Sequence, residues 1–408
     1  MKFKPTDEQR LAINTKGSVL VSAAAGSGKT AVLVERVIKL LCDEEAPVMA
    51  NRLLIVTFTN LAASELRSRI EERLQEEINY NPQNHLLQKQ KILLSAAHIC
   101  TIDSFCIDFI KENFELTGIN PSFKIADNAS VNHLKSAVID GIFKEYFENK
   151  DTQFLNLIYL VGAEFDDKTL MDFVTDIFDY SRQMPYPSLW LNNIKEQYLS
   201  HAKGKNSLWF DEILKAASKL LLVSADHINR AVSILSEEEN AFNCYKDNYL
   251  YLQEFLISLV HLFEKKQWDN IYTTLEAYNP PSLKRLKSSD KTQLTEKASR
   301  LRKTVLENIK AIRGLIYGTK SQILNQLNHA YPYIEKLIEV ITRFEERFYT
   351  ELNKRNLMTF YMCEQEALAM LTEVDCGTIT LKPEASEYIA AYDAVLVDEY
   401  QDTNDFQD

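Results

Sequence analysis

The sequence predicts an α/β protein in which a parallel sheet is interrupted by a large all-helical segment. Short apolar runs at 18–22, 52–58 and 98–102 are each followed by residues with helical periodicity, the alternation that builds parallel sheets. From about 121 to 380 strand signals fade, and apolar residues recur at spacings of three and four. A last apolar run at 394–397 then resumes the sheet pattern. Only ten glycines and ten prolines occur in 408 residues, which favours helices over tight hairpins.

In chain order, residues 18–22 (SVLVS) read as a buried strand. The loop AAAGSGKT follows at 23–30, then a helix over 31–41 with apolar residues at 33, 34, 37, 38, 40 and 41. Residues 52–58 (RLLIVTF) read as a second buried strand, and 61–78 as a helix of strong helix formers. Residues 98–102 (HICTI) make a third strand, and 103–114 open another helix. Leu134, Val138, Ile142 and Tyr146 share one helical face, as do Ile334, Leu337, Ile338, Ile341, Phe344, Phe348 and Leu352. Tyr278-Asn279-Pro280-Pro281 is the clearest breaker between them. Residues 394–397 (AVLV) form the fourth buried strand and deliver Asp398 and Glu399 at its carboxyl end. The expected division is a sheet segment at 1–120, a helical insertion at 121–380 and a return to the sheet at 381–408.

The net charge of −12 excludes a globally basic nucleic-acid coat. The charge is uneven: residues 282–320 hold 11 Lys and Arg against three acids. Lys284, Arg285, Lys287 and the group from Arg300 to Lys303 read either as a surface for duplex DNA phosphates or as a solvated helix face. Six cysteines (42, 100, 106, 244, 363 and 376) form no CxxC pair, and seven histidines show no metal-ligand spacing. These features point to reduced thiols in the cytoplasm, with neither a disulfide frame nor zinc. MKFKPTDEQR lacks the apolar core of a signal peptide. The most apolar stretch, 255–263, is shorter than the ~20 residues that span a bilayer.

The chemistry lies at the strand ends, where parallel sheets place their ligands. A loop of small residues entering a helix aims several backbone N–H groups at one point, and the helix dipole adds positive potential there. Ala23, Ala24, Ala25, Gly26, Ser27 and Gly28 form this loop. Lys29 can reach the β and γ phosphates of ATP, and the Thr30 hydroxyl can ligate Mg²⁺. Ala23 stands where the common phosphate-loop pattern has its first glycine. Asp398, on the end of an apolar strand, needs a counter-charge; it reads as a Mg²⁺ ligand or as part of a solvated turn. Glu399 fits a general base for an attacking water.

Five segments resemble, in order, those of superfamily 1A DNA helicases of the UvrD/Rep kind. They are Gln9 in TDEQRLAI, AAAGSGKT, Thr57-Phe58-Thr59-Asn60 followed by Ala62, Ala63 and Glu65, Thr101 to Phe105, and DEYQDTN from Asp398. VLVSAAAGSGKTAVLVERV and ICTIDSFCIDFI are most similar to the AddA branch, the helicase subunits of bacterial two-subunit helicase–nucleases.

The resemblance implies a RecA-like P-loop sheet, use of ATP and Mg²⁺, and 3′–5′ movement on single-stranded DNA during double-strand break repair by recombination. It also implies contact with duplex DNA and an AddB-like nuclease partner. Gln9 would read the adenine edge, and Thr57, Phe58, Thr59 and Asn60 would grip single-stranded DNA. Thr101 and Ser104 would contact phosphate, and Gln401 would couple the γ-phosphate to motion. Phe58 alone also reads as a core residue at a strand end.

Asp103 departs from the family's usual His and reads as a helix cap. Met362 and Cys363 stand where the family has an Asp-Leu pair. The resemblance places arginines that complete the ATP site on a second RecA-like domain, so this segment alone is expected to be weakly active or inactive. A regulatory P-loop ATPase and an idle DNA-binding module are the alternative readings.

Overall fold

The protein's structure, a computed structural model, describes residues 4–24, 26–162, 167–203, 208–280, 282–375, 378–404 and 406–407. Helices α1 (Asp7–Asn14) and α2 (Lys29–Leu41) precede strand β1 (Leu53–Thr57). Then come α3 (Asn60–Tyr80), α4 (His85–Leu93), β2 (His98–Thr101), α5 (Ile102–Glu112), α6 (Phe114–Thr117) and β3 (Lys124–Ile125). Helices α7 (Asn128–Glu148), α8 (Thr152–Val161), α9 (Lys168–Ser181), α10 (Pro187–Ala202), α11 (Leu208–Ser236) and α12 (Glu239–Glu264) follow. After them run α13 (Trp268–Ala277), α14 (Gln293–Leu315) and α15 (Lys320–Lys354). The remaining elements are β4 (Leu357–Met358), α16 (Phe360–Leu371), β5 (Thr372–Asp375), β6 (Thr378–Leu381), α17 (Ala385–Ile389) and β7 (Ala394–Val397).

The chain forms two compact units. One comprises Met1–Leu191 with Glu339–Asp408; the other is Asn192–Ile338. The compact helical unit is therefore narrower than the expected 121–380. Residues on either side of it belong with the sheet.

In the first unit, β1 lies between β2 and β7, all parallel. All five residues of β1 are buried, as a strand covered on both faces requires. Ile55 sits opposite Ile99 and Leu396 in the two registers. Val34, Val37, Ile38 and Leu41 of α2 close over this sheet together with Leu66, Ile70 and Leu74 of α3. Burial of each such side chain stabilises by ~1.5–3 kcal/mol. Arg67 of α3 donates to the carbonyls of Leu94 and Ala97, each at 2.9 Å, and so holds the entry to β2.

The structure corrects three expectations. Residues 18–22 form no strand, and Leu20 is 78% exposed. A strand persists only when a neighbour takes up its backbone groups, and 18–22 has no ladder partner among the described residues. Strand β7 buries only Leu396, while Val395 is 60% exposed, because β7 is an edge strand with β1 on one side. Nor is 121–380 all helical. Strands β3 and β4 pair in parallel, and β5 and β6 pair antiparallel. The two-residue strands are too short to show alternation, and β6 is exposed throughout, so neither carries an apolar signal.

The second unit is helical among its described residues. Leu214, Leu221 and Ile228 of α11 pack with Leu252 and Leu256 of α12 and with Val305 and Ile309 of α14. The Trp268 indole N–H, fully buried, donates to the Gly318 carbonyl at 2.9 Å.

Candidate functional site

Helix α2 begins at Lys29 directly after Gly28, whose φ is 83°. Gly26 has a φ of 77°. A Cβ at Gly26 would meet nothing within 4 Å, so backbone angle rather than crowding calls for glycine there. Ala23, Ala24 and Ser27 are exposed around the turn; Ala25 lies outside the described residues, as do Pro281 and Cys376. Lys29 folds over the loop, its Nζ 3.4 Å from the Ala23 carbonyl. Thr30 is half-buried in the first turn of α2.

Asp398 follows β7, and its N–H donates to the Val56 carbonyl at 2.8 Å. Burial raises its pKa, the neighbouring Glu399 charge raises it further, and Lys29 pulls it down. Lys29 and Asp398 are therefore within electrostatic reach of each other, although they come from opposite ends of the sequence. Glu399 occupies the left-handed region at φ 58°, a strained setting for a non-glycine residue. Its N–H donates to Asp398 Oδ1 at 3.2 Å. The Gln401 amide donates to the Glu399 carboxylate, so Gln401 holds Glu399 directly.

Mg-ATP fits this donor set. Thr30 and Asp398 offer two hard oxygen ligands, and Mg²⁺ keeps several waters and takes phosphate oxygens besides. The raised pKa of Asp398 is that of a carboxylate short of positive charge.

Gln9 lies against the loop, its Nε2 donating to the Ser27 carbonyl at 3.0 Å. Its Oε1 accepts from the Thr6 N–H at 2.9 Å, and Thr6 caps α1 reciprocally. The Thr-x-x-Gln capping box was a signal available in the sequence. An amide has two donor hydrogens and two acceptor sites, so one of each stays free on Gln9.

The second cluster stands at the carboxyl ends of β1 and β2. Thr59 caps α3 by accepting from the Ala62 N–H at 3.1 Å. Thr101 caps α5 by accepting from the Ser104 N–H at 3.1 Å. The Ser104 hydroxyl joins the two by donating to Asn60 Oδ1 at 3.4 Å. Phe58 is 65% exposed, which removes its reading as a core residue. Thr57 and Thr101 are buried, so the open surface of this cluster comes from Phe58, Thr59, Asn60 and Ser104.

Asp103 is not the cap expected of it. Thr101 fills that role, and Asp103 sits in the first turn of α5, where burial raises its pKa. Met362 and Cys363 are buried in α16. Beside them, buried Glu364 accepts from Gln407 Nε2 at 2.7 Å. Burial raises the Glu364 pKa, and Asp103 raises it further.

In the second unit, Lys284, Arg285, Lys287, Arg300 and Lys303 are exposed. Lys284, Arg300 and Lys303 each meet an exposed carboxylate at 3.7–3.8 Å, contacts of little energy in solvent. Arg302 differs: it donates to Asn248 Oδ1 at 2.8 Å and lies over the Tyr249 ring, so it turns inward.

The sequence profile of the UvrD/REP helicase N-terminal domain matches residues 5–267 and 215–408. The chain belongs to the UvrD/REP helicase family. Among curated relatives in this family, the A subunit of the ATP-dependent helicase/nuclease of Acetivibrio thermocellus is 34% identical over 414 residues, 99% of this chain and 33% of that protein. Its counterpart in Clostridium beijerinckii is 34% identical over 421 residues, again 99% of this chain and 33% of the relative. The counterpart in Thermoanaerobacter pseudethanolicus is 32% identical over 423 residues, covering 100% of this chain and 33% of the relative. The chain thus spans about a third of the length of the curated relatives it matches. No helix among the described residues is long and apolar enough to cross a membrane.

Proposed function

We propose that this chain is the ATP-binding motor domain of an ATP-dependent DNA helicase that moves 3′–5′ on single-stranded DNA and serves double-strand break repair by recombination. The observation that carries the reading is the approach of Lys29 and Asp398, which joins a phosphate loop to an acidic strand end. Gly26, Ser27, Gly28 and Lys29 cradle the phosphates, and Thr30 and Asp398 hold the metal. Bound Mg²⁺ supplies neutralisation of phosphate charge. Glu399 accepts the proton of the attacking water, held in place by Gln401. Gln9 offers its free donor and acceptor to adenine N7 and N6.

Phe58, Thr59, Asn60 and Ser104 form the single-stranded DNA surface, with Phe58 as the stacking platform. The exposed basic side chains of 282–320 meet duplex DNA. In the family, arginines of a second RecA-like domain complete such a site; arginines of this kind raise turnover ~10³–10⁵-fold. These 408 residues alone are therefore expected to bind Mg-ATP and hydrolyse it slowly. The names of the relatives support a place in a helicase–nuclease with an AddB-like partner, acting in the cytoplasm.

The test is unwinding by a full-length protein containing this chain, on duplexes with a 3′ or a 5′ tail. Unwinding of the 3′-tailed duplex alone, lost with Lys29→Ala, is expected. ATP hydrolysis indifferent to DNA would point to a regulatory ATPase instead. DNA binding unaffected by nucleotide and by Lys29→Ala would point to an idle binding module.

A further inference from the structure

We infer that Arg36 is the positioning residue for nucleotide base selection: it clamps α1, and with it Gln9, onto the phosphate loop. The inference rests on the ATP reading of that loop. Helix α1 has eight residues and none is buried. A helix this short is marginal by itself, so tertiary contacts must fix its position. Packing does little of this work. The helix stands beside a cavity of about 360 Å³, lined by Pro5, Arg10, Ile13, Glu35 and Arg73 among others.

Polar contacts hold it instead. The Arg36 guanidinium, on α2, donates to the carbonyls of Ala12 at 2.7 Å, Thr15 at 2.8 Å and Gly17 at 3.3 Å. These carbonyls lie at the carboxyl end of α1 and the turn after it, where the helix leaves acceptors unsatisfied and carries its negative pole. A fixed cationic fork is matched to such a cluster. Lys39, one turn further along α2, donates to Asn14 Oδ1 at 2.5 Å. Near its other end, α1 touches the loop only through Gln9 and Ser27 among the described hydrogen bonds.

Arg36 and Lys29 lie on the same helix, so the phosphate-binding lysine and the anchor of the base-reading helix share one rigid element. If the clamp is released, the phosphates still meet Lys29, but Gln9 no longer stands at a fixed distance from them. Arg36 should therefore govern discrimination between bases rather than affinity for triphosphate as such.

The experiment uses the 408-residue chain and compares ATP with ITP, which lacks the adenine amino group, by equilibrium titration with Mg²⁺. Arg36→Met keeps the stem and removes the donors; Arg36→Lys keeps the charge. Wild type should prefer ATP. In Arg36→Met, ATP affinity should fall about tenfold, the loss expected for one charge-assisted hydrogen bond, with ITP affinity unchanged. Arg36→Lys should fall between. Amide exchange over residues 10–14 should quicken in Arg36→Met while that of α3 does not, which separates release of α1 from general unfolding. An unchanged ATP-to-ITP ratio, or unchanged exchange in α1, would overturn the inference and leave the ATP reading standing. A wild type that binds neither nucleotide would sink the ATP reading itself.

Discussion

Phe58 illustrates how much a single side chain can decide. An aromatic at the end of a buried strand belongs by default to the core, yet Phe58 projects into solvent, 65% exposed, beside Asn60 and the Ser104 hydroxyl. We predict that Phe58→Ala weakens single-stranded DNA binding by ~1–3 kcal/mol while shifting folding stability by less than ~0.5 kcal/mol, as an exposed position should. Fluorescence anisotropy with a labelled oligonucleotide and a thermal melt would check the two halves. Glu364 is the opposite case, a buried carboxyl whose pKa is pushed above its ordinary 4.5 by burial and then by Asp103. The folded protein holds this proton more tightly than the unfolded chain, so its contribution to stability falls as pH rises above 4.5. Glu364→Gln keeps an acceptor for Gln407 and carries no charge. Its melting temperature should exceed that of wild type at pH 8, and the gap should close towards pH 4.5. Phe58 could be proposed from its motif. Glu364 could not, because nothing in MCEQEA distinguishes the glutamate that turns inward.

Among the elements, the sequence was readable where apolar residues are buried in a regular period. Residues 53–57, 98–101 and 394–397 are strands, and the helix expected at 61–78 runs over Asn60–Tyr80. The failures have physical causes. Residues 18–22 have the composition of a strand, but pairing rather than composition makes one. The β5–β6 hairpin exposes most of its residues and so carries no pattern. Caps were the other hidden feature: Asp103 looked like a cap, yet Thr101 two residues earlier takes the Ser104 N–H. Thr101→Ala should destabilise the first unit by ~1 kcal/mol, the ordinary cost of a lost N-cap, measurable by urea denaturation. Ile55→Ala, at the centre of the sheet and fully buried, should cost far more, ~2–5 kcal/mol.

At the scale of the whole molecule, composition alone pointed away from nucleic acid, since the net charge is −12. The distribution of charge resolves this, because 282–320 concentrates basic side chains on exposed positions of the helical unit. Replacing Lys297, Arg300 and Lys303 together by Gln should weaken duplex binding and lower its salt dependence by roughly 0.9 for each phosphate no longer neutralised. Arg302, spent on Asn248 and Tyr249, should instead act on stability. The larger claim is that the two ends of the sequence build one Mg-nucleotide site. Its sharpest test is equilibrium binding of ATP to the 408-residue chain, with and without Mg²⁺, in wild type, Lys29→Ala and Asp398→Asn. Binding should disappear in Lys29→Ala, while Asp398→Asn should lose only the Mg²⁺ enhancement. A Mg²⁺ enhancement that survives Asp398→Asn intact would refute the claim, because the acidic strand end would then serve some purpose other than the metal.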